Sequence, residues 1–170
     1  MEFTELIRAR HSVRAFEATP VEAEKLNRIL ELANQAPSAG NLQAYEIYHV
    51  TAARTRAALA RAADQSFIAE APAILVFFAN PGRSARKYGA RGKELYAIQD
   101  ATIAVTYAML AATDLGLGTV WVGAFDPVKV TIATGAPPDW IPVAVLPIGY
   151  AAEIPGPTSR RSLTDLVRTI

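Results

Sequence analysis

Apolar residues in this chain fall into runs whose internal spacing predicts what each run builds. Phe3, Leu6 and Ile7 share one helical face, followed by a polar cluster of Arg8, Arg10, His11, Ser12 and Arg14 that Phe16 closes. Thr19-Pro20-Val21-Glu22 has the form of a capping box with proline at the first helical position, and Leu26, Ile29, Leu30 and Ala33 continue as one buried stripe. The small, turn-forming residues Ala36 to Asn41 then lead to Tyr45-Glu46-Ile47-Tyr48-His49-Val50, which reads as a strand. Thr51 is placed to cap an alanine- and arginine-rich surface helix, after which Asp64-Gln65-Ser66-Phe67 returns the chain to the core. Ala73-Ile74-Leu75-Val76-Phe77-Phe78 shows no alternation and predicts a strand covered on both faces.

The stretch from Glu94 to Phe125 dominates the pattern. Its first two-thirds is apolar on nearly every helical face, which predicts a buried helix. The uncharged run between Asp100 and Asp114 is shorter than the roughly 20 residues a bilayer requires, so it reads as core and not as a membrane span. Gly116 and Gly118 stop the helix, and Thr119-Val120-Trp121-Val122 predicts a short strand that ends at Gly123. Bare backbone there would let a flat ligand lie against main-chain N–H groups. Further on, Asp126-Pro127 predicts the capped start of a helix finishing at Gly135. Pro142 to Gly149 is strand-like, with Pro147 pointing to an irregular strand or an edge. Arg160-Arg161-Ser162 precedes a last helix with Leu163, Leu166, Val167 and Ile170 on one face. Helices alternating with strands from Tyr45 onward would, by themselves, suggest a parallel α/β sheet.

Composition narrows the chemistry. At 170 residues and 51% hydrophobic, residues 1–170 are expected to form a single domain. A net charge of +1 names no polyanionic partner, and neither nucleic acid nor membrane is expected. The charged, amphipathic N-terminus is unlike a signal peptide, so the expected compartment is cytoplasmic. The absence of cysteine excludes disulfides, thiolate metal sites and a cysteine nucleophile. His11 and His49 are the only histidines and are far apart in sequence, which leaves little for a metal site. Gly116, Gly118 and Gly123 miss the dinucleotide spacing, and Gly92-Lys93-Glu94 lacks the remainder of a P-loop. Two basic clusters stand out. The one at Arg8–Arg14 reads either as a solvated helix end or as an anion site, since guanidinium groups, a hydroxyl and an imidazole suit a phosphate and its sugar. The other, Asn80 to Lys93, carries Arg83, Arg86, Lys87, Arg91 and Lys93; it reads as a solvated loop or as a mobile lid attracting an anionic cosubstrate. A chain with no nucleophile, metal or acid–base pair, but with arginine clusters and close-approach glycines, suits an enzyme whose cofactor does the chemistry.

Five motifs in order sharpen this. Arg10-His11-Ser12-Val13-Arg14 with Phe16, Ala36-Pro37-Ser38-Ala39-Gly40-Asn41-Leu42-Gln43, Tyr88-Gly89 with Arg91-Gly92, Leu95-Tyr96-Ala97-Ile98-Gln99-Asp100, and Gly116-Leu117-Gly118-Thr119 with Trp121-Val122-Gly123-Ala124-Phe125 resemble the FMN-dependent nitroreductase family in its short form. The likeness covers essentially the whole chain. One departure is Ala44, where the family usually has proline. The resemblance implies an α+β fold, a mixed, largely antiparallel sheet between helices, and a homodimer with FMN at the interface. It implies that Arg10, His11 and Ser12 hold the FMN phosphate and ribityl chain, with Arg161 and Arg160 closing on the phosphate. Arg14 would reach the N1 and O2 edge of the flavin and Gln65 its pyrimidine edge. Pro37, Ser38 and Asn41 would approach from the other subunit, and the backbone at Gly123 and Ala124 would face N5. No side chain is implied as catalytic; hydride would pass from NAD(P)H through the flavin to a nitroaromatic, quinone or similar small acceptor. Alternatives within the resemblance are a dehalogenase, a heterocycle dehydrogenase, an enone reductase and a non-catalytic FMN-binding protein.

Overall fold

The computed structural model describes residues 1–170. Its elements are α1 (Phe3–Ala9), α2 (Ala23–Ala33), β1 (Tyr45–Val50), α3 (Ala53–Ala63), α4 (Phe67–Glu70), β2 (Ala73–Ala79) and α5 (Pro81–Arg91). A π-helical turn, Gly92–Tyr96, leads into α6 (Ala97–Asp114), followed by β3 (Gly118–Thr119), α7 (Pro127–Thr134), β4 (Ile141–Gly149) and α8 (Leu163–Leu166).

Strand β2 is the centre, and every one of its residues is buried, as its unbroken apolar run predicts. Successive side chains of a strand point to opposite faces. Leu75 and Phe77 therefore enter a core shared with α2 and α6, while Ile74, Val76 and Phe78 enter a second core shared with α3, α4 and α7. A sheet with a helical layer on each face follows. The strand order is β1-β2-β4-β3, and all three ladders are antiparallel. The parallel sheet that simple alternation suggests is therefore not formed, because side-chain periodicity carries no strand direction. The α+β architecture implied by the resemblance is what the chain adopts. One parallel contact joins it: an isolated bridge between Ser12 and Thr119.

Several local expectations are corrected. Helix α2 begins at Ala23, not at Pro20; Thr19 Oγ1 donates to the Glu17 carboxylate, and the Glu22 carboxylate turns away to accept from the Tyr150 hydroxyl at 2.8 Å. Helix α3 starts beyond Ala52, so Thr51 caps nothing, and Asp64 in the left-handed region (φ 53°) ends it. The chain then makes the single turn α4 before β2. Strand β4 is central and not an edge, but it is irregular: its register with β2 shifts at Phe77/Phe78 and its ladder with β3 is interrupted. Val122 and Val145 exchange both main-chain hydrogen bonds at 3.0 Å, and Pro147 shares that side of the strand by the two-residue period. Its missing N–H thus falls where the ladder is interrupted between Thr119 and Val122.

Asn80 to Lys93 is not a loop. Asn80 Oδ1 accepts from Arg83 N at 3.0 Å, Pro81 occupies the first turn of α5, and non-helical Gly89 (φ 55°, ψ −137°) kinks the helix before the π turn. The helical run Pro81–Asp114 is long and apolar enough by length and composition to cross a membrane, but half of its most apolar window is buried inside the protein, as core helices are. Helix α6 is not covered all round: Ala101, Ala104, Val105 and Ala108 are buried, whereas Thr106 and Tyr107 are exposed. At the C-terminus only the one-turn α8 forms, and Leu163, Leu166, Val167 and Ile170 are exposed.

Candidate functional site

The N-terminal segment Arg10–Phe16 lies along one end of the sheet. Val13 N donates to Thr119 O at 3.0 Å, Phe16 bridges Ala151, and Glu17 N donates to Tyr150 O at 2.9 Å. Gly118 permits this approach, since a Cβ there would lie 2.8 Å from Val13 Cγ2. Burying Val13 (5% exposed) fixes the segment, so its neighbours Ser12 and Arg14 point elsewhere. Arg14 is exposed, while Arg10, His11 and Ser12 are half-buried. None of the four ion pairs of the protein involves Arg10 or Arg14. His11 borders a hollow of about 260 Å³ with Gly116, Gly118 and Glu153.

Glu153 escaped the sequence reading. Its Oε1 accepts from the main-chain N–H of Arg14 and, at 3.2 Å, from that of Ala15, and so pins the backbone from which Arg14 extends.

Gly123 and Ala124 are exposed and follow the Val122–Val145 bridge. Asp126 N donates to Ala62 O at 2.9 Å, which holds this backbone against the end of α3, where Gln65 follows. Asp126 itself caps α7: its Oδ1 accepts from Val128 N at 3.0 Å and Lys129 N at 3.2 Å, and these bonds hold its carboxyl below the ordinary value. Gln65 is half-buried, and its amide has only a long 3.5 Å contact to Ala63 O.

Pro37, Ser38 and Asn41 belong to the segment between α2 and β1. Pro37 and Ser38 border a different cavity, of about 530 Å³, with Tyr96, Gln99 and Asp100 on the α6 side. The loop that carries them is unusual: Gly40, Asn41 and Gln43 all have positive φ, at 57°, 56° and 43°. Asp100 holds it. This carboxylate is 2% exposed, and its two oxygens accept from Ala39 N at 2.8 Å and Ala44 N at 3.2 Å. The second bond needs a main-chain N–H, which Ala44 supplies and the proline usual at that position in the family lacks. Ser38 Oγ accepts from Gln43 N at 2.9 Å within the loop. Burial and then the Asp100 charge push the Tyr45 hydroxyl above its ordinary value, as expected beside an ionised carboxylate. Asp100 was also missed in the sequence, although a signal exists: it is the lone carboxylate on the helical face of Ala97, Ala101 and Ala104, all buried.

Arg160 and Arg161 are exposed in the C-terminal tail, and their hydrogen bonds are local, to Thr158, Ser159 and Asp165. The other histidine, His49, is on β1 opposite Leu75, away from these groups, and burial lowers its pKa.

Comparison with known proteins gives a consistent picture. The chain is 33% identical to an NADH dehydrogenase of Thermus thermophilus over 93% of its own length and 91% of that protein. It is 30% identical to a 5,6-dimethylbenzimidazole synthase of Rhodobacter capsulatus, over 86% of this chain and 82% of that one. Its fold superposes with a TM-score of 0.89 on an NADPH:FMN oxidoreductase from Vibrio harveyi solved with NAD+, at 26% identity, covering 98% of this chain and 76% of that one. A model of the nitroreductase family matches residues 7–69 and 59–150. On that match, over a fold and motif order that agree with it, the chain belongs to the nitroreductase family.

Proposed function

We propose that the chain forms a homodimeric, cytoplasmic FMN-dependent oxidoreductase that takes hydride from NAD(P)H and delivers it to a nitroaromatic, quinone or similar small acceptor. The observation that carries this reading is the Arg10–Arg14 segment, pinned along the sheet end with its guanidinium groups outside any ion pair. Such a donor set fits a phosphate and a polyol chain, and bare backbone at Gly123 and Ala124 fits a flat ring. FMN, when bound, supplies the hydride-accepting and hydride-donating chemistry.

The protein's own residues then position and polarise. Arg10, His11 and Ser12 bind the phosphate and ribityl chain, and Arg160 and Arg161 add charge from the tail. The fixed positive charge of Arg14 stabilises negative charge at the pyrimidine edge, the Gln65 amide hydrogen-bonds the same edge, and no side chain serves as an obligatory proton donor. Pro37, Ser38 and Asn41 come from the second subunit, a reading supported by Pro37 and Ser38 bordering a cavity other than the one His11 borders. Dimerisation also gives an occupant to an apolar hollow of about 480 Å³ between α1 and α6, bordered by Phe3, Leu6, Leu32, Tyr107 and Leu110. Phe3 at 69% and Ile7 at 47% exposure leave α1 with no buried residue in the monomer.

The visible spectrum of the purified protein, before and after anaerobic NADH or NADPH, tests the reading. Flavin absorption that bleaches with either nucleotide is the expected result; a colourless protein that takes up no added FMN would sink it. The likeness to a 5,6-dimethylbenzimidazole synthase supports a second reading, in which the flavin is kept and the reaction differs. In that case bleaching persists, but a panel of nitroaromatics and quinones is not turned over.

A further inference from the structure

The five cations of the α5 region, Arg83, Arg86, Lys87, Arg91 and Lys93, take part in none of the protein's ion pairs. Three of them do not simply face solvent: Arg83 Nε donates to the Leu42 carbonyl, and Arg91 and Lys87 meet aromatic rings. The Arg91 guanidinium lies 5.4 Å from the Tyr96 ring centroid and its Nε donates to the Tyr96 hydroxyl at 3.0 Å. Residues five apart meet in this way because the intervening turn is π-helical. Lys87 Nζ lies 5.4 Å from the Tyr88 ring, Tyr88 packs edge-on to Tyr96 at 5.2 Å, and the ends of Lys87 and Tyr88 fill the space that a side chain at Gly40 would take. A Cβ at Gly40 would lie 2.7 Å from Lys87 Nζ. The two cations are thus held by aromatic rings beside the cavity that Pro37, Ser38 and Tyr96 border.

We infer that Arg91, supported by Lys87, forms a subsite at the Tyr96 end of this cavity for an anionic substituent, a carboxylate or a phosphate ester, on the ring-bearing molecule that enters it. The inference rests on the proposed function for the identity of that molecule as acceptor or hydride donor. Arg91 has one side-chain hydrogen bond, through Nε, so its terminal Nη groups remain to make a forked contact. Two carboxylates are close in sequence. Asp100 borders the cavity, but both its oxygens are taken by main-chain N–H groups and it is 2% exposed; Glu94 is exposed and makes no ion pair. The anion therefore docks at the Tyr96 end and not beside Asp100.

The test compares kcat/KM for 4-nitrobenzoate with that for nitrobenzene, and, as a second arm with nitrobenzene as acceptor, NADPH with NADH. Arg91→Gln should lower the first ratio about tenfold, as loss of a charge-assisted contact does, with Lys87→Gln acting in the same direction and Arg91→Lys keeping most of the ratio. Raising salt from about 0.05 M to about 0.5 M should shrink the wild-type ratio but not that of Arg91→Gln. Arg28→Gln, a remote surface charge, should leave it at the wild-type value. A fall confined to the NADPH/NADH ratio supports the same subsite with the nucleotide phosphate as its ligand. Benzoate titrated calorimetrically into the protein as purified requires no turnover; weaker binding to Arg91→Gln supports the subsite even if no acceptor is reduced, a result that would count against the activity alone. Unchanged ratios in both arms together with equal benzoate affinity overturn the inference.

Discussion

Asp100 and Glu153 each accept two main-chain N–H groups and each fixes a segment that carries proposed cofactor contacts, yet their surroundings are opposite. Asp100 is enclosed between α6 and the Pro37–Gln43 loop at 2% exposure, whereas Glu153 is exposed just beyond β4. Water can replace Glu153 at the amides of Arg14 and Ala15, so its bonds exchange one partner for another. Ala44 N is buried beside Asp100, and loss of the carboxylate would leave that donor unpaired. The two loops therefore differ in how they are secured. The Arg14 segment leans on the sheet through Val13, and Glu153 refines it; the Pro37–Gln43 loop, with three positive φ angles, is tied to α6 by one buried carboxylate, with Ser38 bonding Gln43 inside the loop and Arg83 donating to Leu42 O from α5.

Asp100→Asn is the most severe way to break this comparison. The amide can accept one N–H but turns its own NH2 toward the other, and unfolding stability should fall by about 3 kcal/mol in urea titration. FMN affinity should fall with it if the loop contacts the flavin of the second subunit. Ala44→Pro removes one of the two donors and leaves the carboxylate in place; a loss of about 1.5 kcal/mol is expected from the lost charge-assisted bond. Glu153→Gln should cost less than about 1 kcal/mol, as exposed contacts do. If Glu153→Gln proves as damaging as Asp100→Asn, burial is not what separates the two. The smallest effect is alkaline. Since the Tyr45 hydroxyl titrates above its ordinary value in the folded chain, its contribution is fully present below about pH 10 and is lost as pH rises beyond, because the unfolded chain releases that proton first. Asp100→Asn should move the ultraviolet titration of Tyr45 to lower pH by removing the neighbouring negative charge; no movement would mean that Asp100 carries none.

Much of the frame was legible because burial writes itself into spacing. The stripe Leu26, Ile29, Ala33 and the unbroken run of β2 both fold as their patterns predict. So does the Asp126-Pro127 start of α7, whose cap bonds are local and need no tertiary partner. Failures occur where a distant residue outbids a local one. Glu22 prefers Tyr150 and Lys25, both packed beside it, to the capping box, so α2 starts late. Pro147 lies inside the sheet since the gap opposite it is made by Thr119 to Val122, far away in sequence. The Arg10–Arg14 cluster was visible as chemistry, but Asp100 and Glu153 looked like ordinary charges; their partners are amides, which have no sequence signature. The exposed apolar residues of α1 and α8 are strong patterns without a surface to bury them in one chain.

The β2–β4 ladder has a consequence for how the protein reaches this structure. These neighbours are separated by the whole of 80–140, so their pairing must close a long loop, and pairings of that kind dominate folding times. Helices α5 and α6 lie inside that loop and form from local contacts, so they should be present before the sheet is complete. The Arg10–Phe16 segment, which rests on Thr119, Tyr150 and Ala151, can settle only after β3 and β4 are in register. Competence to take up a cofactor should therefore arrive in the last kinetic phase of refolding, well after most of the helical circular dichroism has returned.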